Sequence, residues 1–347
     1  MKRRSILTAA ACLALTGTLA ACGGGAGGSG GSGSGPGRTG VDYPRSDSDF
    51  WNSYIKYVPQ FSKELGVDMM DPTNSQNDVA KLVANAQALQ SQGAKAMVMA
   101  PQDTGAIAST LDRLDKAKIP VITVDTRPDK GKAYMVVRAD NKAYGEKACK
   151  YLGDQLKGQG KVVELQGSLS SVNGRDRSEA FAACMKQNYP GITVFEEPTD
   201  WEGPKASAAL QTRLNQHPDV KGIYMQAGGV FLAPTLQVLR SSNHLLPAGD
   251  PNHITIISND GIPQEFDAIR KGEIDATVSQ PADLYAKWAL FYAKAALDGK
   301  TFKPGNTDHD SEIVDVGNGQ LEDQLPAPLV TKQNVDDKSL WGNQIGK

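Results

Sequence analysis

The sequence predicts an α/β protein built on parallel sheets, and three observations point there. Short β-branched runs alternate with amphipathic stretches along most of the chain. The runs are apolar throughout rather than alternating, the pattern of strands buried on both faces. About 300 residues follow the N-terminal segment, enough for two domains of ordinary size.

The elements follow in order. Val79, Leu82, Val83, Ala86 and Leu89 recur at helical spacing, and Ala96-Met97-Val98-Met99-Ala100 then reads as a buried strand. Ile107, Leu111 and Leu114 mark the next helix, and Val121–Asp125 the next strand, with Pro120 tolerated where a strand begins. The same beat returns at 162–165, 222–225 and 254–257, with helices around 180–186, 206–214 and 264–271. Strand, helix, strand repeated in this way yields parallel sheets flanked by helices.

The first 40 residues read differently. Lys2-Arg3-Arg4, an apolar run from Ile6 to Leu19 and the small residues before Cys22 form a secretory signal closed by a lipobox. The expectation is removal of residues 1–21 and acylation of the Cys22 thiol. The run of about 14 residues falls short of the ~20 that a bilayer requires. Residues 22–39, rich in Gly and Ser, read as the lipidated cysteine plus a flexible tether of roughly 20–25 Å reach. Without the signal, 34 basic and 39 acidic residues remain. That net of −5 favours neither nucleic acid nor an anionic membrane surface, so membrane contact is expected through the lipid alone. Cys149 and Cys184 remain as a pair, either a disulfide in an oxidising compartment or two buried thiols.

Polar residues collect where the strands end. Asp125, Asp260 and Gln280 close three of them, and Arg175 stands at a helix start soon after Gly167-Ser168. Ligands of open α/β sheets bind beyond the carboxyl ends of the strands. Carboxylates and a guanidinium placed there make charge-assisted hydrogen bonds to hydroxyls, which points to a cage for a polyhydroxylated ligand.

Several segments, taken in this order and spacing, carry a family resemblance. They are Asp49-Phe50-Trp51, Ile119–Asp125, Ala139-Asp140-Asn141, Val163–Gly167, Gly174-Arg175-Asp176-Arg177, His217–Val220, Asn259–Pro263 and Ala276–Pro281. From Gly40 to Val335 the chain resembles the type I periplasmic binding proteins, and among them the ribose-binding-like solute receptors of ABC sugar importers. The resemblance implies two similar Rossmann-like lobes joined by three crossings of the chain, with a sugar in the interlobe cleft. It puts residues 40–139 and 281–310 in the first lobe, and residues 140–280 and 311–347 in the second. It implies that Asp125 serves the ligand from the first lobe, Arg175 and Asp260 from the second, and Gln280 from near a hinge. Phe50, Trp51 and Trp201 would cover the faces of the sugar ring. It further implies a bridge between the helices of Cys149 and Cys184, no cofactor, and a monomer that delivers its sugar or polyol to ABC permease subunits.

The chain departs from the ribose-type pattern in three places. Ser48 stands where Asn is expected, and Thr126 where Arg is expected, although Arg127 follows. Ala227-Gly228-Gly229 replaces an Asn-Asp pair. A site made for a hydroxyl discriminates strongly on such partners, so the expected ligand shifts from ribose to another pentose, a hexose or a sugar alcohol.

Other motifs are weaker. Asp308-His309-Asp310 has metal-ligating residue types without the spacing of a closed site. Lys157-Gly158-Gln159-Gly160-Lys161 lacks the Lys-Ser/Thr ending of a phosphate loop. No Gly-x-Ser-x-Gly elbow joins a strand to a helix, and no nucleophile pairs with His217, His244, His253 or His309, so turnover is not expected. A sensory component presenting a liganded body to a membrane receptor would look the same in sequence. A transcriptional regulator is excluded by the signal and by the lack of a DNA-binding headpiece.

Overall fold

The computed structural model describes residues 37–345. The signal, Cys22 and nearly all of the tether lie outside the described residues. β1 (Thr39–Tyr43), α1 (Asp49–Leu65), β2 (Thr73–Asn74), α2 (Val79–Ser91), β3 (Ala96–Met99), α3 (Ala108–Lys116), β4 (Val121–Val124) and β5 (Met135–Ala139) build most of the first lobe. The chain crosses after Ala139 into α4 (Asn141–Gln155), β6 (Gln159–Gln166), α5 (Val172–Asn188), β7 (Gly191–Pro198), α6 (Gly203–Gln216) and β8 (Gly222–Met225). The second lobe continues through α7 (Gly228–Ser241), β9 (Thr255–Asp260), α8 (Pro263–Lys271) and β10 (Ala276–Ser279). A second crossing returns it as α9 (Ala282–Leu297), β11 (Gly305–Asn306), β12 (Glu312–Asp315) and β13 (Leu321–Leu325), and a third leads to β14 (Leu329–Thr331).

The first sheet runs β11-β12-β13-β5-β4-β3-β1-β2, and the second β14-β10-β9-β8-β6-β7. Among the described residues antiparallel pairing occurs only toward one end of each, at β11, β12 and β14. Aspartate and serine start the helices that approach the crossings. Asp140 accepts the amides of Lys142 and Ala143, and Ser171 that of Asn173. Gly66, at φ 63°, ends α1 in the left-handed conformation. α9 packs on α1 and on the sheet of the first lobe. A disulfide joins Cys149 of α4 to Cys184 of α5, with Cα atoms 6.1 Å apart. Among the described residues no helix is long and apolar enough to cross a membrane.

One boundary moves. The expectation that residues 311–325 belong to the second lobe is corrected by β13, which pairs in parallel with β5, Glu322 opposite Val136 and Leu325 opposite Ala139. The third crossing therefore falls at Pro326–Pro328 rather than at residue 310. The strand escapes a hydrophobicity reading because its centre is charged, with Glu322 1% and Asp323 0% exposed. Arg127 and Arg138 pair with Glu322, while the Tyr292 hydroxyl and Ser311 Oγ donate to Asp323. His309 Nε2 lies 3.0 Å from the same carboxylate, and its ring stacks on Trp288, which gives the Asp308–Asp310 turn a structural role.

Candidate ligand-binding cleft

The carboxyl ends of both sheets meet across a small, narrow cavity. From the first lobe, Asp125 follows β4 directly, in the left-handed region at φ 64°. Its Oδ1 is buried without a hydrogen-bond partner in the protein. Burial pushes its carboxyl above the ordinary range, opposed by the Arg177 and Arg138 guanidinium groups and by Asn173. Thr126 lines the cavity beside it, but its hydroxyl donates to the Pro101 carbonyl. At the start of α1, Ser48 makes no side-chain cap, so its hydroxyl stays available to the cavity that it lines. Phe50 and Trp51 follow as an edge-to-face pair with ring centres 5.2 Å apart.

The second lobe supplies the opposing wall. Asp260 ends β9; its Oδ2 accepts the Gly229 amide at 2.7 Å and its Oδ1 accepts Gln280 Nε2 at 3.1 Å. Burial raises its pKa, opposed by Arg177 and the Gly229 amide. Trp201, in the turn between β7 and α6, is 7% exposed, and its indole N–H has no partner in the protein. The indole lies so close to Gly167 that a Cβ there would fall about 2.0 Å from its ring carbons. Gly167, directly after β6, thus leaves the room that the Trp201 indole occupies.

Arg177 is the centre of the network. Its Nε donates to Asn141 Oδ1 at 2.6 Å, one Nη to the Gln226 carbonyl and the other to Gln280 Oε1 at 2.7 Å. The guanidinium also lies 5.0 Å from the Tyr144 ring centre and 5.6 Å from that of Trp201. It is 2% exposed, and each of its three nitrogens donates one hydrogen bond.

Of the residues expected from the sequence, Ser48, Phe50, Trp51, Asp125, Thr126, Trp201, Asp260 and Gln280 line this cavity. Arg175 does not. It pairs with Asp129 at 2.5 Å and donates to the Leu169 carbonyl, with its side chain 31% exposed. The reason is helical phase: Asn173 and Arg177, at i and i+4 on α5, face the cavity, and residue 175 points away from that face. Gly174-Arg175-Asp176-Arg177 contains both arginines, so a spacing test against Asn173 would have chosen Arg177. Arg45, Gln102, Ser171, Asn173 and Val230 also line the cavity and were missed. Ala227 lines it too, at one of the departures noted in the sequence.

The lobes touch across the mouth of the cleft. Thr104 of the first lobe donates its amide to the Ser170 carbonyl at 3.3 Å, beside the Arg175–Asp129 pair. On the opposite side Arg45 donates to the Trp201 carbonyl, and Gln264 to Asp49. Nearer the crossings, Arg138 of β5 holds Asn173 and Asp176 of α5. Among the described residues no group of His, Cys, Asp and Glu side chains is placed to hold a metal ion.

The chain's relatives share this architecture. Over 227 residues it is 29% identical to the ribose import binding protein of Salmonella typhimurium, covering 65% of this chain and 74% of that protein. Against the ribose import binding protein of Bacillus subtilis it is 26% identical over 261 residues, 75% of this chain and 82% of the other. A crystal structure of an ABC transporter solute-binding protein from Mycobacterium smegmatis, with bound glycerol, superposes with a TM-score of 0.75 at 26% identity. That match covers 87% of this chain and 96% of the other. The family model described as the periplasmic binding protein domain matches residues 39–301. With that match spanning most of the chain and both sheets meeting at one polar cleft, the protein belongs to the periplasmic binding protein domain family.

Proposed function

We propose that this protein captures a monosaccharide or sugar alcohol outside the cytoplasm by closing its lobes around it, and delivers it to an ABC importer. The observation that carries the reading is Asp125 Oδ1, a buried acceptor with no partner in the protein, facing the cavity that Asp260, Arg177 and three aromatic rings also line. An unpaired buried acceptor costs about 1–3 kcal/mol, which a ligand hydroxyl relieves. The aromatic rings suit the C–H faces of a sugar. The named relatives, two ribose import binding proteins and a solute-binding protein that holds glycerol, agree with a small polyhydroxylated ligand.

Ribose itself is disfavoured, because Ala227 offers no side-chain hydrogen bond where it lines the cavity. The role is capture rather than turnover, in keeping with relatives that are import binding proteins and a solute-binding protein. The lipobox at Cys22 completes the proposal with a lipid anchor and the Gly/Ser tether, which keep the receptor concentrated beside its permease. Isothermal titration against D-ribose, D-allose, D-galactose, L-arabinose, glycerol and myo-inositol should yield one tight ligand, with D-ribose the weaker where both bind. Silence across the whole set would sink the sugar assignment. Mass spectrometry of the membrane fraction tests acylation of Cys22.

A further inference from the structure

Gly229 sits in the first turn of α7, in ordinary right-handed backbone, so no positive φ requires a glycine there. Space does. A Cβ at this position would fall 2.9 Å from the Phe50 amide nitrogen, 2.9 Å from Ser48 Oγ and 3.0 Å from Phe50 Cβ. All three atoms belong to the other lobe. Ser48 Oγ is able to rotate aside, but the Phe50 amide is main chain in the first turn of α1 and is not. The neighbouring Gly228 differs: its Cβ would meet Glu265 and the Asn259 carbonyl, both within its own lobe.

We propose that Gly229 sets how far the two lobes close, and thereby how tightly the cleft retains its ligand. The inference rests on the reading of the cleft as a closing sugar site. The first turn of α7 and the first turn of α1 meet face to face beside the cavity, and the Gly229 amide is bonded to Asp260, a wall of the cavity. A side chain at 229 would therefore hold the lobes apart at the point where Asp260 and Ser48 approach the same ligand. The bare backbone is a stop whose position one methyl group would shift. Because alanine favours a helix over glycine, Gly229→Ala leaves the isolated lobe no less stable, which separates closure from folding.

The experiment compares Gly229→Ala with Gly228→Ala. Ligand-free melting temperature should be unchanged or raised by Gly229→Ala and lowered by Gly228→Ala. Titration with whichever of the six compounds binds the native protein should show Gly229→Ala weaker by about tenfold or more, the scale of an overpacked contact. Closure is also read without any ligand, by introducing Thr104→Cys and Ser170→Cys, whose main chains are hydrogen-bonded across the cleft mouth. Added to that pair, Gly229→Ala should slow disulfide formation several-fold. Native affinity together with a native oxidation rate would overturn the proposal. If none of the compounds binds the native protein, the sugar reading fails and the oxidation rate alone decides the role of Gly229.

Discussion

Arg177 Nη2 donates to Gln280 Oε1 at 2.7 Å, tying a helix of the second lobe to the second crossing of the chain. The bond orients the Gln280 amide, whose nitrogen then donates to Asp260. One guanidinium thus sets the geometry of a carboxylate it does not touch. Arg177→Lys removes the fork and leaves the Asn141, Gln226 and Gln280 acceptors competing for one ammonium. Ligand affinity should fall by about two orders of magnitude in titration, on the order of 3 kcal/mol. Affinity within a factor of three of native would show that the network is dispensable.

Asp125→Asn separates binding from folding. The native carboxylate is buried with one oxygen unpartnered, so its replacement should leave ligand-free stability unchanged or higher in urea unfolding. Affinity should drop by about 1.5–3 kcal/mol, because hydrogen bonds to a charged group are lost. Loss of stability with affinity preserved is the opposite result and would make Asp125 structural.

Arg175→Ala should be mild. The Arg175–Asp129 pair is about a third exposed, where such pairs contribute roughly 0–1 kcal/mol. Equilibrium affinity should change by less than about fivefold, and the effect should appear as faster release in stopped-flow measurements, since the pair spans the cleft mouth. Abolished binding would mean that Arg175 reaches the ligand after all.

Glu164 predicts a pH dependence. Burial pushes its carboxyl from 4.5 to about 8, although Gln226 and Gln166 donate to it. Its folded value lies above its unfolded one, so the folded state holds more protons between the two. The stability it contributes is fully present below about pH 4.5 and is lost as the pH rises toward 8. Asp260 and Glu265, also raised by burial, act in the same direction. Urea unfolding should therefore show lower stability at pH 8 than at pH 6, and Glu164→Gln should flatten that slope by on the order of 1–2 kcal/mol. A slope that Glu164→Gln leaves untouched assigns the effect elsewhere.

The disulfide should matter more to stability than to binding. Cys149 and Cys184 are 35 residues apart, a loop whose closure constrains the unfolded chain by about 3–4 kcal/mol. The double serine variant should lose about that much in denaturant unfolding yet bind with near-native affinity once folded.

Much of the cleft was legible because strand ends in this kind of sheet are chemically marked. Asp125, Asp260 and Gln280 each follow an apolar run, and the aromatic residues lie at helix starts or turns. Arg175 was misplaced because a motif names a segment while a helix selects a face, and two residues along α5 reverse the direction of the side chain. Asn173 and Ser171 carried no signal of their own, being ordinary capping and helix-surface residues until the other lobe covers them. β13 was invisible for a different reason. Its Glu322 and Asp323 are buried by pairing with distant arginines and hydroxyls, a compensation that no local window contains.

That strand also bears on how the molecule comes into being. β13 completes the first sheet against β5 from almost two hundred positions further along, with a whole lobe threaded between them. Contacts so distant in sequence are slow to form, because their loop entropy must be overcome before they yield any stabilisation. Until β13 arrives, Arg138 has Asp176 of α5 beside it but lacks Glu322, the second carboxylate that faces its buried charge. A chain emerging from its N-terminus therefore holds a half-built first lobe whose Arg127 and Arg138 still await their shared carboxylate, and β13 acts as the key that locks the body into shape.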